Sequence, residues 1–114
     1  MTVRLPHAEL ARQLVQHLGP TLVAVLAGVR DRQLPHKWAT EGGPTPRPNA
    51  LQRLQVAHRA WCAVAGSEGD DVARAWFIGA NPCLDEVPPY EAIRDGEFRR
   101  VMAAAAAFVD GTDN

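Results

Sequence analysis

The chain has 114 residues, a length that fits one domain or two small helical modules sharing a core. With 46% hydrophobic and 22% charged residues its composition is that of a globular rather than a disordered chain, and no apolar run approaches the roughly 18–20 residues that span a bilayer. The formal charge of −1 conceals two halves of opposite sign. Residues 1–66 carry eight Arg or Lys (Arg4, Arg12, Arg30, Arg32, Lys37, Arg47, Arg53, Arg59) against three acids (Glu9, Asp31, Glu41), a net of +5. Residues 67–114 carry four Arg (Arg74, Arg94, Arg99, Arg100) against ten acids, a net of −6. A basic half can neutralise phosphates and an acidic half is repelled by them, so the asymmetry points to two surfaces with different partners.

Apolar residues recur at helical spacing almost throughout, and no segment alternates with period two. Pro6 opens a first helix to about Leu18, with Leu10, Leu14, Val15 and Leu18 on one face. Gly19 ends it and Pro20 opens a second helix to about Ala27, whose Leu22, Val23, Val25 and Leu26 leave little polar surface. Gly28 breaks that helix, and Asp31 is placed to cap a third one ending near Trp38 or Ala39. Five Pro or Gly within Glu41–Pro48 make a loop, after which Asn49 is placed to cap a helix from about Ala50 to Ala65. Its stripe is Leu51, Leu54, Ala57, His58, Trp61, Val64 and Ala65. Gly66-Ser67-Glu68-Gly69 is expected to be a hinge at the change of charge. Asp70 then starts a helix carrying Val72, Ala73, Trp76 and Phe77 and stopped by Gly79. A short helix from Pro89 ends at Gly96, and a last one runs from about Glu97 to Val109. The expected fold is all-α with about seven helices and no internal repeat.

Helix, glycine turn, helix, with Trp38 closing the second helix, is the outline of a helix-turn-helix, whose second helix meets base edges in the major groove. The exposed candidates for DNA contact are Arg30, Arg32, Gln33, His36 and Lys37: Arg suits guanine, Gln suits adenine, and Lys and His reach phosphates. Pro35 falls inside a helix begun at Asp31, at a cost of up to about 3 kcal/mol, unless that helix begins later and is short. The pattern LVAVLAGVRDRQLPHKW, followed by a Pro-rich loop and a Leu-rich helix up to Arg53, resembles the Xre-type helix-turn-helix family.

The second half reads WFIGANPCLDEVPPYEAIRDGEFRRVMAAAAAFVDG from Trp76 to Gly111. Its Trp76-Phe77, Asn81-Pro82, Leu84, Pro89, Ile93, Gly96-Glu97 and Val101 resemble, in order and spacing, the toxin-binding domain of Xre/MbcA/ParS-type antitoxins. From the residues alone, Trp76, Leu84, Ile93, Val101 and Phe108 can form a small core, and Asn81 can tie its turn by side-chain hydrogen bonds. The small residues Ala103–Ala107 serve equally as helix formers or as a smooth face for close approach.

The resemblance implies an all-α chain made of an Xre-like helix-turn-helix bundle (residues 1–66) and a small helical toxin-binding module (67–114). It also implies an antitoxin whose partner is a RES-domain, NAD-consuming toxin encoded by an adjacent gene, acting as a homodimer that represses its own operon by binding operator DNA. The residues assigned to toxin contact are Asn81, Leu84, Tyr90, Arg94, Glu97, Phe98, Arg99, Arg100 and Phe108, with the final turn to Asn114. The alternative is a stand-alone helix-turn-helix regulator whose C-terminal half only dimerises; a further one is an adaptor that has lost DNA recognition.

No enzyme is expected, and no cofactor. His58 and Cys62 are four apart on one helix, but no paired-ligand spacing accompanies them, and Cys62 lacks the orienting acid of a nucleophile. Asp70-Asp71 and Asp85-Glu86 are adjacent acids rather than a facing dyad, and Gly42-Gly43 has no Lys-Ser/Thr after it. Two cysteines make no disulfide framework, and the N-terminal residues lack the apolar stretch of a signal peptide, so the expected location is the cytoplasm, away from membranes.

Overall fold

A computed structural model describes residues 5–111. Seven helices follow one another: α1 (His7–Leu18), α2 (Pro20–Ala27), α3 (Leu34–Trp38), α4 (Pro48–Glu68), α5 (Asp70–Ile78), α6 (Pro89–Arg94) and α7 (Phe98–Asp110). A single 3-10 turn, Pro82–Leu84, lies between α5 and α6, and no strand occurs among the described residues. No helix there is long and apolar enough to cross a membrane.

The punctuation by glycine and proline sets most boundaries. Gly19 donates its N–H to the Val15 carbonyl and Pro20 takes the first position of α2, where its missing N–H has no helical partner to lose. Gly28 ends α2 in the left-handed region at φ 82°, a conformation that a Cβ makes costly. Val23, Ala24, Leu26 and Ala27 are buried, so α2 is covered on most sides, as its composition requires.

Three boundaries differ from the sequence expectation. Asp31 does not start α3: its carboxylate accepts the Gln33 N–H at 2.9 Å and its carbonyl accepts that of Leu34, which makes a turn. Helix α3 therefore begins at Leu34, puts Pro35 in its first turn without losing a helical hydrogen bond, and is five residues long. Asn49 is not the cap of α4, because Pro48 occupies the first helical position after an extended Arg47. The expected hinge is helix as well: α4 continues through Gly66, Ser67 and Glu68 and stops at Gly69, φ 91°. Asp70 starts α5 as expected, after Gly69 as its cap residue, and Asp70 and Asp71 in its first turn complement the helix dipole.

One hydrophobic core draws on both halves of the chain, and α4 runs through it. This helix packs against α1, α2, α5, α6 and α7. To do so it buries residues around much of its circumference: Ala50, Leu54, Val56, Ala57, Ala60, Trp61 and Val64. Helix α7 lies along it and buries Val101, Ala104 and Ala105. The alanine run thus divides, with Ala104 and Ala105 permitting close approach while Ala103 and Ala106 are exposed. On α5, Ala73, Trp76 and Phe77 are buried as expected, but Val72 faces outward at 39% exposure.

A polar chain ties α1 to α4. The Arg12 guanidinium donates to Glu9 at 2.7 Å and holds its carboxyl below the usual range. Gln13 donates to the same carboxylate, which orients its amide oxygen to accept from His58 Nε2 at 2.7 Å. This assigns the proton of a neutral His58 to Nε2, and the Cys62 sulfur lies 3.8 Å from both ring nitrogens. Burial, and then the charge of neighbouring His17, lower the His58 pKa, while burial raises that of the Cys62 thiol. His58 and Cys62 are accordingly a structural pair, and no cluster of three or more metal-ligating side chains exists among the described residues.

Two stability predictions follow from this packing. Ala104→Leu should cost about 1–3 kcal/mol in urea unfolding by overfilling the α4–α7 contact, whereas Ala103→Leu should change stability by less than about 0.5 kcal/mol. For His58, the unfolded chain binds the proton more readily than the folded one, so stability is complete above the ordinary histidine pKa of 6.5 and falls as pH drops below it. Thermal melts between pH 7.5 and 5.5 should show this loss, and His58→Asn should flatten it, since Glu9 titrates well below that window.

Candidate functional site

The first surface is the turn between α2 and α3. Arg30, Arg32, Gln33, His36 and Lys37 are all exposed there, as expected. Only His36 and Lys37 lie on α3; Arg30, Arg32 and Gln33 lie in the turn before it. Lys37 is drawn to Asp31 at 3.8 Å, and neither Arg30 nor Arg32 has an ion-pair partner among the described residues. Trp38 and Pro35 are buried beneath, fixing the turn to the core.

Sequence reasoning missed the residue that joins this turn to the second half. Arg53, on α4, donates from Nε to the Arg94 carbonyl at 3.0 Å, at the end of α6. Its guanidinium also lies against Gly28, so close that a Cβ there would stand 3.3 Å from it. The α2–α3 turn and the end of α6 consequently form the two sides of one groove of about 360 Å³. Its floor is Ala24, Val25, Gly28 and Val29, and its rim carries Arg30, Arg32 and Arg94. The only signal in the sequence was an arginine beside a buried stripe, which is commonly a solvated edge.

The second surface surrounds the turn after α5. Asn81 is 4% exposed; its side chain accepts the Cys83 N–H at 2.9 Å, and its carbonyl accepts those of Leu84 and Glu86. Leu84 is buried too, so both residues shape the turn from inside. Asp85 and Glu86 follow with φ 57° and 69°. Arg100 from α7 bridges Asp85 and Glu97, donating to Asp85 at 2.9 Å and to Glu97 at 3.0 Å. Glu97 and Arg99 are exposed beside this clamp and Phe98 is half-buried, while Tyr90 on α6 and Phe108, more than two turns farther along α7, sit half-buried at the margin of the core. Arg94 is exposed beside Asp95 at 3.4 Å and Glu91 at 3.8 Å. Thr112, Asp113 and Asn114 lie outside the described residues.

Between these surfaces runs an apolar groove of about 480 Å³, with Leu22, Val25, Arg74, Ile78 and Tyr90 on its walls. Ile78 is 51% exposed and Val72, six residues earlier on α5, is exposed as well. Val72 was expected on the buried stripe of α5, and Ile78 was not singled out from the sequence, because a single helical stripe was assigned to that helix.

No protein-family model matches the chain. The mycobacterial cidal antitoxin MbcA of Mycobacterium tuberculosis (strain H37Rv) is 32% identical to it over 66 residues, and MbcA of Mycobacterium bovis gives the same figures. The aligned stretch spans 56% of this chain and 58% of the length of these relatives. A chain in the crystal structure of the M. tuberculosis MbcT–MbcA toxin–antitoxin complex has the same fold, with a TM-score of 0.75 and 25% identity over 91% of this chain and 94% of that one. The chain is thus similar in sequence to MbcA antitoxins over little more than half of their length, and shares its arrangement of helices with a component of a toxin–antitoxin complex.

Proposed function

We propose that this chain is the antitoxin of a toxin–antitoxin pair, which binds and neutralises a RES-domain, NAD-consuming toxin encoded by an adjacent gene. The observation that carries the proposal is the fold shared, over nine-tenths of the chain, with a component of a toxin–antitoxin complex. The chain itself performs no chemistry; docking over the toxin's entrance would deny it NAD.

The docking surface is the clamp around the Asn81 turn and the adjoining ends of α6 and α7. Tyr90, Phe98 and Phe108 supply apolar area, and Arg94, Glu97, Arg99 and Arg100 supply charge at its border. Asn81 and Leu84 act from beneath by holding the turn. The division of labour is at residues 66/67, with the second stretch facing the toxin and the first facing operator DNA through Arg30, Arg32, Gln33, His36 and Lys37. Pairing of two copies suits a palindromic operator, and the exposed Ile78, on the wall of the groove it shares with Leu22, Val25 and Tyr90, gives such a dimer an apolar contact. That same apolar contact is what supports the second reading, a stand-alone regulator whose C-terminal half only dimerises.

Co-expression with the product of the neighbouring gene separates the two. A complex that co-purifies, with growth rescued and cellular NAD preserved, supports the antitoxin; free chain and no rescue support the regulator. Among single substitutions, Arg99→Glu should weaken the complex by about tenfold or more in calorimetric titration, because it adds negative charge at an exposed, unpaired position of an acidic surface. Its far-ultraviolet circular dichroism should be unchanged.

A further inference from the structure

We propose that the arginine-rimmed groove between the α2–α3 turn and the end of α6 contacts the phosphate backbone of duplex DNA, with Arg94 of the acidic half as one of its ligands. The proposal rests on the DNA-binding part of the function above and departs from it in where the affinity comes from. A recognition helix must lay several side chains along base edges. With five residues, α3 is about 7.5 Å long, and Pro35 and Trp38 on it are buried. Two exposed side chains, His36 and Lys37, remain on it to face DNA. Affinity in such a chain has to come mostly from the phosphates, and arginines outside α3 must supply it.

The groove meets that requirement. Arg30 and Arg32 arrive from the turn and Arg94 from α6, over a floor of small apolar groups that bring no counter-charge. Arg53 stands behind them, bonded to the Arg94 carbonyl and pressed to Gly28, so the two rims are tied at a set separation and a fourth positive charge is added. Guanidinium groups match phosphate oxygens bidentately. The acids nearby do not cancel the site: Asp31 is engaged with Lys37, and Glu91 and Asp95 pair with Arg94 at 3.8 and 3.4 Å in exposed positions, where ion pairs hold little and yield to a phosphate. Arg30, Arg32 and Arg53 remain uncompensated.

Fluorescence anisotropy of a labelled duplex from the region upstream of its own gene tests this, using the full chain at several salt concentrations. Arg94→Ala should weaken binding about threefold to tenfold and lower the salt slope by about one, and Arg94→Lys should restore the slope. The Arg53 bond accepts at the backbone carbonyl, which either substitution keeps, and thermal melts of both variants verify the fold. If Arg94→Ala leaves affinity and slope unchanged while Arg32→Ala reduces both, the proposal falls and DNA binding stands. If the unaltered chain binds no duplex even at low salt, both fall. If Arg94→Ala weakens only the complex with the neighbouring gene's product, Arg94 belongs to the protein-facing surface and the proposal is overturned.

Discussion

Everything in this molecule leans on one 21-residue helix that must be covered from several directions at once. A helix of that length is about 30 Å long, and burying Leu54, Val56, Ala57, Ala60, Trp61 and Val64 demands neighbours on more than one face. Helices α1 and α2 come from the basic half and α5 and α7 from the acidic half. Trp61 shows how tightly the halves are joined: His17 of α1 stacks on it at 4.6 Å, and Phe77 of α5 meets it at 6.2 Å. Phe77 in turn receives Trp76 edge-on at 5.2 Å. Aromatic pairs of these geometries add to burial and prefer defined orientations. The attitude of α1 and that of α5 are therefore set by the same ring.

Much of this architecture was legible because it depends on strong local signals. Gly19-Pro20, Gly28, Gly79, Pro89 and Gly111 each stop or start a helix where expected, since the absence of a Cβ or of an N–H acts irrespective of the tertiary surroundings. The misplacements arose where two local rules competed. At Pro48-Asn49 the preference of Asn for the cap lost to that of Pro for the first helical position. At Gly66 the intrinsic cost of glycine in a helix is only about 1 kcal/mol, so α4 runs on through exposed Gly66, Ser67 and Glu68, and the stop was deferred to Gly69. At Asp31 a side chain able to cap a helix made a turn instead, because the proline four residues later fits only within the first turn of the helix that follows.

The surfaces were less legible than the helices. Residues exposed for want of any buried role, such as Arg30, Arg32 and Lys37, were found correctly, since charge in a turn predicts exposure well. Arg53 and Arg94 meet across 41 positions of sequence, and the bond that joins them uses a backbone carbonyl, which no side-chain pattern reports. Ile78 escaped for a related reason. An exposed apolar residue looks in sequence like a buried one, and only the fold tells the two apart.

The turn after Asn81 carries two successive acids, Asp85 and Glu86, in the left-handed region, where a side chain costs about 1–2 kcal/mol per residue relative to glycine. The Asn81 hydrogen bonds and the Arg100 clamp hold it there. Such a loop has given up its conformational freedom before any encounter. A protein that docks on it loses little entropy at that step. The benefit accrues to the lifetime of the complex rather than to the speed of its formation, because diffusion and orientation govern arrival while the departing loop has no looser state to escape into.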